Sequence, residues 1–258
     1  MPPDLDDRGM IFRQLFEPVS STYTYLVGCP ETGEAALIDP VMPAWQRDLE
    51  AVNALGLRLV MTIDTHIHAD HITSASLLRR ETGSRIAIPA LDALPCTDLP
   101  MEEGRPLAIG GVTIDPLHTP GHTDNHFALV MDDRVFTGDA LLIDGCGRTD
   151  FQSGDARTLY ASVRGKLFCL PGETLVYPAH DYQGRWVSSI AQERQRNPRL
   201  GGDRTLEDFV ALMDGLDLPY PKFIDYAVPG NRQCGACPPE LPDDLRDYCP
   251  QMAESPQG

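Results

Sequence analysis

The amino-acid sequence predicts an α/β fold with four layers in the order helix, sheet, sheet, helix. Apolar or alternating segments typical of strands come in runs, and segments with helical spacing follow them. Because strands and helices bury their apolar faces against each other, two strand-rich halves with helices outside them fit this layered arrangement. The length of 258 residues suits one sizeable domain, alone or with a small appendage.

The first half of the chain begins with a strand meander and continues into strand and helix units. The two helices are predicted to stop at Gly56 and Gly83, since glycine commonly follows the last helical residue. The predicted strands are 10–16, 23–27, 34–39, 57–63 and 85–89, and the predicted helices are 44–55 and 72–80.

The second half resumes this pattern after a polar, proline-containing loop at residues 91–104. Beyond residue 219 the composition shifts to proline, cysteine and acidic residues. We therefore predict a main domain over residues 1–230 and a Cys/Pro-rich tail over 231–258 that lies on the domain surface. The predicted strands are 112–117, 127–131, 135–137 and 174–177, and the predicted helices are 157–170, 184–196 and 206–213.

Charge and composition exclude several classes of partner. The formal net charge of -17 argues against a general surface for nucleic acid or for an anionic membrane. No apolar run approaches the length of a membrane span. The acidic start of the chain lacks the order of a signal peptide, so we expect a cytoplasmic protein.

The seven cysteines are interpreted mainly as reduced thiols, because an odd count without an export signal does not indicate a disulfide framework. Cys234 and Cys237 form a CxxC pair, and Cys249 follows. Since no second CxxC or nearby histidine completes a zinc set, free thiols are expected at these three positions, with a labile disulfide as the second alternative.

The most informative stretch is Thr65-His66-Ile67-His68-Ala69-Asp70-His71, which lies between a predicted strand and a predicted helix. His66 and His68 point to the same side of an extended segment, and Asp70 and His71 begin the next element. Four such polar side chains would be costly in an ordinary core. Imidazole and carboxylate together are typical of a metal site.

Three later strand ends supply further candidate ligands. His122 follows the strand at 112–117 in a Thr-Pro-Gly-His-Thr turn, Asp139 follows the strand at 135–137, and His180 follows the strand at 174–177. Strand ends commonly open onto functional sites. Four strand ends that carry His or Asp in one chain are a strong signal.

These residues alone do not choose between one metal and two. A single ion held by two imidazoles and one carboxylate is the usual platform for non-haem Fe(II) oxygen chemistry. The same side chains also suit a two-zinc hydrolytic site with Asp139 as the bridge. In that alternative, His66, His68 and His122 bind one zinc, and Asp70, His71 and His180 bind the other.

The order of motifs resembles the metallo-β-lactamase superfamily: THxHADH, then PGHT, TGDAL and PAHD. The finer patterns TGDALLI, GCGRTDFQ, YPAHDY and IDYAVP are similar to those of the persulfide dioxygenases within that superfamily. The resemblance covers nearly all of residues 10–230. It implies the metallo-β-lactamase fold for the predicted main domain.

The resemblance also implies a ligand set and a reaction. By motif position, His66, His122 and Asp139 would hold one Fe(II) per chain, and glutathione persulfide and O2 would react to give sulfite and glutathione. The cavity would also be lined by His68, Asp70, His71 and His180. Arg148 could bind a substrate carboxylate through two hydrogen bonds, and Tyr182 could donate one into the pocket.

Two other functions stay open at this point. One is a binuclear zinc hydrolase of glutathione thioesters, of the glyoxalase II type, although Thr149-Asp150-Phe151-Gln152 departs from the hydrolase pattern. The other is a binding protein without catalysis, against which the complete ligand set argues. The sequence leaves open whether the chain forms a homodimer.

Overall fold

Residues 9–238, 241 and 249 are described by the computed structural model. They form two units: one contains the described residues of 1–100, 108–112 and 220–258, and the other contains residues 101–107 and 113–219. The predicted division at residue 230 stays a prediction, and most of the predicted tail lies outside the described residues.

The first six-stranded sheet has the order β1-β2-β3-β4-β5-β6. Its first three strands form an antiparallel meander, and β3, β4 and β5 pair in parallel. Parallel pairing requires a crossover, which one helix supplies between β3 and β4 and another between β4 and β5. The strands are β1 Ile11–Glu17, β2 Thr22–Cys29, β3 Glu34–Ile38, β4 Arg58–Ile63, β5 Arg85–Pro89 and β6 Leu99–Met101.

The second sheet also has six strands, in the order β12-β11-β10-β9-β8-β7. Strands β8, β9 and β10 pair antiparallel, whereas β10 and β11 run parallel. The ends of β10 and β11 therefore lie at the same edge of the sheet. The strands are β7 Leu107–Ile109, β8 Val112–His118, β9 Phe127–Val130, β10 Arg134–Gly138, β11 Leu175–Pro178 and β12 Ser188–Ser189.

Six α-helices occur in the described residues, and most have recognisable ends. Helix α2 ends at Gly83, which takes a positive φ of 75°. Helix α3 begins after Asp155, whose side chain accepts a hydrogen bond from the Thr158 amide. The helices are α1 Trp45–Ala54, α2 Ala75–Thr82, α3 Ala156–Gly165, α4 Ile190–Arg196, α5 Leu206–Asp214 and α6 Ile224–Arg232.

Several predicted boundaries were wrong for local reasons. Helix α2 starts three residues late, because the Met42 and Ser74 amides bond to the Ile72 and Pro40 carbonyls and hold this segment extended. Helix α4 starts at Ile190, since Ser188 pairs with β11 as part of β12. The predicted 91–104 loop contains β6, and the segment after residue 219, where no helix was predicted, contains α6.

Each unit has its own hydrophobic core. In the first unit, Leu26, Leu37 and Leu59 of the sheet pack with Leu78 of α2. In the second unit, the core includes Val135, Val176, Leu159 and Phe209 from its strands and helices. Across the part of the chain that the structure describes, no helix is both long and apolar enough to cross a membrane.

The prediction of free thiols at the three C-terminal cysteines was wrong. Cys234 forms a disulfide with Cys96, and Cys237 forms one with Cys249. The first bond joins residues 138 positions apart, with 6.0 Å between their Cα atoms. A spacing rule such as CxxC cannot reveal a partner so distant in sequence.

Asp48 in α1 gives the fold a pH dependence. Burial raises the pKa of its carboxyl to about 6, although Arg47 opposes this with its charge and hydrogen bonds. In the unfolded chain the pKa lies near 3.9. Between roughly pH 4 and 6, the folded state therefore binds more protons at Asp48 than the unfolded chain does. The free energy of unfolding consequently falls as the pH rises through that window.

Asp48→Asn should raise the free energy of unfolding by about 2 kcal/mol at pH 7.5, since the amide needs no proton to stay neutral. Its Oδ1 can still accept the Arg47 hydrogen bonds. Urea unfolding of parent and variant from pH 4 to 8 measures the effect. A constant difference across this range would contradict the assignment of the titration to Asp48.

Candidate metal centre

In the first unit, a carboxylate at the end of β3 fixes the start of the histidine turn. Asp39 accepts hydrogen bonds from the Thr65 amide at 2.7 Å and from the Thr65 hydroxyl at 3.0 Å. The Thr65 oxygen lies 3.0 Å from Nδ1 of His66. Since the only hydroxyl proton is given to Asp39, Nδ1 of His66 is the donor, and its Nε2 keeps a lone pair.

His68 is oriented by the same aspartate, with its Nε2 3.0 Å from Oδ1 of Asp39. Burial alone would lower the pKa of His68, but the charge and hydrogen bond of Asp39 raise it to about 9. Sequence analysis missed Asp39. The available signal was its place directly after the apolar strand β3 and before Pro40.

Asp70 and His71 form a bonded pair at the end of the turn. One oxygen of Asp70 accepts from Nδ1 of His71 at 2.8 Å and from the Thr22 hydroxyl at 3.0 Å. Burial lowers the pKa of His71, so its ring stays neutral with the Nε2 lone pair available. The imidazoles lie close together, with ring centroids 4.2 Å apart for His66 and His68 and 4.2 Å apart for His68 and His71.

A residue from α6 holds the backbone of this turn. The Asn231 amide group donates to the carbonyls of His68 at 2.9 Å and His71 at 2.8 Å. Its oxygen accepts from the Thr73 amide at 2.9 Å. Asn231 is buried and satisfies three main-chain groups that no regular element pairs. Sequence analysis also missed this residue, and no local pattern indicates it.

In the second unit, His122 and Asp139 come together at strand ends. Nδ1 of His122 lies 2.7 Å from the Arg148 carbonyl and donates to it, which leaves the Nε2 lone pair free of a proton. That Nε2 is 3.2 Å from Oδ2 of Asp139. Two atoms that bind one ion at about 2.1 Å and near right angles lie about 3 Å apart. The pair therefore fits a shared metal.

The other oxygen of Asp139 faces His180, whose Nε2 lies 3.5 Å from Oδ1. The backbone of Asp139 is fixed by His126, because the Asp139 amide donates to Nε2 of that ring at 3.0 Å. Nδ1 of His126 in turn lies 2.9 Å from the Thr119 hydroxyl. His126 thus has a structural role.

Two glycines let the chain approach these side chains closely. A Cβ on Gly147 would lie 2.7 Å from Nδ1 of His122 and 2.7 Å from the Asp139 carbonyl. A Cβ on Gly121, whose φ is +132°, would lie 2.2 Å from the Leu159 amide nitrogen of α3. Any larger residue would move His122 or Asp139 out of place.

Arg148 makes hydrogen bonds to residues of its own loop and to its neighbour His122. Its guanidinium bonds to both oxygens of Asp150 at 2.6 and 2.7 Å, and its backbone carbonyl orients His122. Tyr182 is 74% exposed, and its ring stacks on His180 with centroids 6.1 Å apart. Substrate contact by Arg148 or Tyr182 stays a prediction.

In each unit, the side-chain donors are of the kind that bind a divalent transition metal. His66 and His122 each present an Nε2 lone pair and hold Nδ1 in a hydrogen bond, which is the arrangement that orients metal-bound imidazoles in proteins. Asp139 adds a buried carboxylate. Nitrogen and oxygen donors of this kind suit iron, zinc and related ions alike.

Known proteins resemble the chain over most of its length. The family model of the metallo-beta-lactamase superfamily matches residues 18–180. Human "Persulfide dioxygenase ETHE1, mitochondrial" is 48% identical over 233 residues, which cover 89% of this chain and 91% of that protein. The bovine protein of the same name is 50% identical over 229 residues, 88% of this chain and 89% of that protein.

The crystal structure of ETHE1 from Myxococcus xanthus is also similar, with a TM-score of 0.85 and 50% sequence identity. The match covers 88% of this chain and 100% of that one. The predicted fold class, an α/β sandwich of the metallo-β-lactamase type, is thereby confirmed. The chain belongs to the persulfide dioxygenase family of the metallo-β-lactamase superfamily.

Proposed function

We propose that this chain is a persulfide dioxygenase that converts glutathione persulfide, O2 and water to sulfite and glutathione. The observation that carries the proposal is the identity of about half of all residues, over nine-tenths of the chain, to proteins named persulfide dioxygenase. The donor chemistry of the two units is consistent with it.

The proposed metal is one Fe(II) per chain, with His66, His122 and Asp139 as its protein ligands. The hydrogen bonds of His66 and His122 support the choice of these two residues as ligands. Both rings are already in the tautomer that a metal needs. Two imidazoles and one carboxylate leave further coordination positions for substrates. When bound, iron supplies the redox chemistry that O2 activation requires.

The chain's own residues supply orientation. His180, 3.5 Å from the second oxygen of Asp139, restrains the direction of that carboxylate. The Arg148 carbonyl and Thr65 hydroxyl fix the two imidazole planes. His68, Asp70 and His71 line the proposed cavity and are held by Asp39, Thr22 and each other. Mutation of such hydrogen-bond partners typically lowers metal affinity or activity by roughly 10- to 100-fold.

Elemental analysis and O2 consumption after anaerobic purification test the proposal. About one iron per chain and rapid O2 uptake with glutathione persulfide are expected. About two zincs per chain together with hydrolysis of a glutathione thioester would support the hydrolase alternative instead. A homodimer and a cytoplasmic location stay predictions, and the two mammalian relatives above are named as mitochondrial.

Arg148→Ala should raise the KM for glutathione persulfide roughly 10-fold, if the guanidinium binds a substrate carboxylate by a charge-assisted hydrogen bond. The KM for a small persulfide without carboxylates should change little. Steady-state O2 uptake with both substrates measures the difference. Asp150→Asn is the matched control, because it removes the negative charge of the present partner and leaves the guanidinium in the loop. Equal changes with both substrates would contradict carboxylate binding.

A further inference from the structure

The Cys96–Cys234 disulfide of the first unit lies in an open cleft beside two arginines. The cleft has a volume of about 500 Å³. It is lined by Ser76, Arg79, Arg80, Pro95, Cys96 and Cys234. Both cysteines are only half-buried, so a small molecule that enters the cleft can reach the disulfide.

The arginines keep hydrogen-bond donors available for a ligand. Nη1 of Arg79 donates to the Cys96 carbonyl at 3.1 Å and to Asp98 at 3.3 Å. Nε of Arg80 donates to Glu81 at 3.1 Å. A guanidinium has five N–H donors, and the described residues occupy only part of each set. The remaining donors suit a carboxylate.

Each arginine pairs with one exposed carboxylate, Arg79 with Asp98 and Arg80 with Glu81, in a chain whose formal net charge is -17. Exposed ion pairs of this kind are weak, so the carboxylate of a ligand can compete for the two guanidinium groups. An anionic reagent is repelled by most of such a surface and attracted only where cations cluster. The guanidinium groups therefore select which thiols are held beside this disulfide. Thiols that carry carboxylates are favoured, and cationic thiols are not.

We propose that the cleft is a binding and reaction site for low-molecular-weight thiols that carry carboxylates. The incoming thiolate attacks one Sγ, forms a mixed disulfide and releases the other cysteine as a thiolate. A second thiolate then attacks the small-molecule sulfur of the mixed disulfide and releases the remaining cysteine. Two thiols are oxidised to one disulfide, and the protein disulfide takes up the same two electrons.

The reaction acts on the histidine turn through α6. Cys234 lies three residues after Asn231, which holds the carbonyls of His68 and His71 and the amide of Thr73. The following residue, Gly235, packs so closely on Thr73 that a Cβ would lie 2.4 Å from its carbonyl oxygen. Opening the disulfide removes the covalent tie between this segment and Cys96, and the hydrogen bonds of Asn231 then open more often.

Anaerobic reduction by glutathione or by cysteamine, followed by alkylation and mass spectrometry, tests the thiol specificity. The Cys237–Cys249 disulfide is the internal control, because it does not line the cleft and Cys249 is 1% exposed. Glutathione should reduce Cys96–Cys234 about tenfold faster than the control bond. The double variant Arg79→Gln/Arg80→Gln should slow the glutathione reaction about threefold or more and leave the cysteamine reaction unchanged or faster.

Equal rates at both disulfides, or a double variant with an unchanged preference for glutathione, would overturn the proposal. Hydrogen exchange then tests the link to the turn. The Thr73 amide should exchange several-fold faster after reduction, and Cys96→Ser should show the same increase without any thiol. If that variant does not fold, the reduced parent protein gives the same comparison. Unchanged Thr73 exchange in the reduced protein would disprove the coupling.

Discussion

The Asp139→Asn variant should lose bound iron and take up O2 at least about a hundredfold more slowly than the parent. This decrease is larger than the decrease expected when a hydrogen-bond partner of a ligand is removed. The amide has the same shape, but it lacks the negative charge that Asp139 would supply to the proposed cation beside Nε2 of His122. Metal content per chain and steady-state O2 uptake measure the two effects. Circular dichroism establishes that the variant folds.

Asp132→Asn is the matched control, because the same change is made at an exposed residue of the turn between β9 and β10. It should leave iron content and activity unchanged. An Asp139→Asn protein that retains about one iron per chain would show that Asp139 is not a ligand. An inactive variant that retains its iron would instead assign Asp139 a role in the reaction alone.

Gly121→Ala should lower the free energy of unfolding by at least about 3 kcal/mol, among the largest effects expected of one methyl group. The new Cβ would lie 2.2 Å from the amide nitrogen and 2.3 Å from the Cα of Leu159, both of which are main-chain atoms of α3. The φ of +132° adds strain for any residue other than glycine. Urea or thermal unfolding of the purified protein measures the loss.

Gly165→Ala, at the end of the same helix, separates this steric clash from the general effect of adding a methyl group. Apart from the backbone of its own helix and its two chain neighbours, no heavy atom lies within 4 Å of its expected Cβ. Alanine is the better helix former by about 1 kcal/mol, so this control should be neutral or slightly stabilising. Equal losses in both variants would contradict the close-approach argument for Gly121.

The strands and the strand-end positions of the candidate ligands were predictable because both depend on local sequence. Strands β4, β8, β10 and β11 end within four residues of His66, His122, Asp139 and His180, respectively. The motifs that follow these strands were enough to indicate the superfamily, and the comparisons confirm it.

Contacts between residues distant in sequence were not predictable. Asp39 supports the histidine turn from 26 positions away, and Asn231 supports it from about 160 positions away. The Cys96–Cys234 disulfide joins two elements that share no motif. In each case the partner is determined by tertiary packing, which periodicity and spacing do not encode. The helix at 224–232 was missed because Pro229 and Gly230 lower its local propensity.

Because Asn231 donates hydrogen bonds to the carbonyls of His68 and His71, the histidine turn cannot be completed until residue 231 has been synthesised. A ribosome produces His66 long before residue 231, so the main chain of the nascent turn lacks its amide partner for most of translation. We therefore expect the metal site to reach its final geometry late in translation. A chain stalled before residue 231 should bind metal more weakly than the finished one.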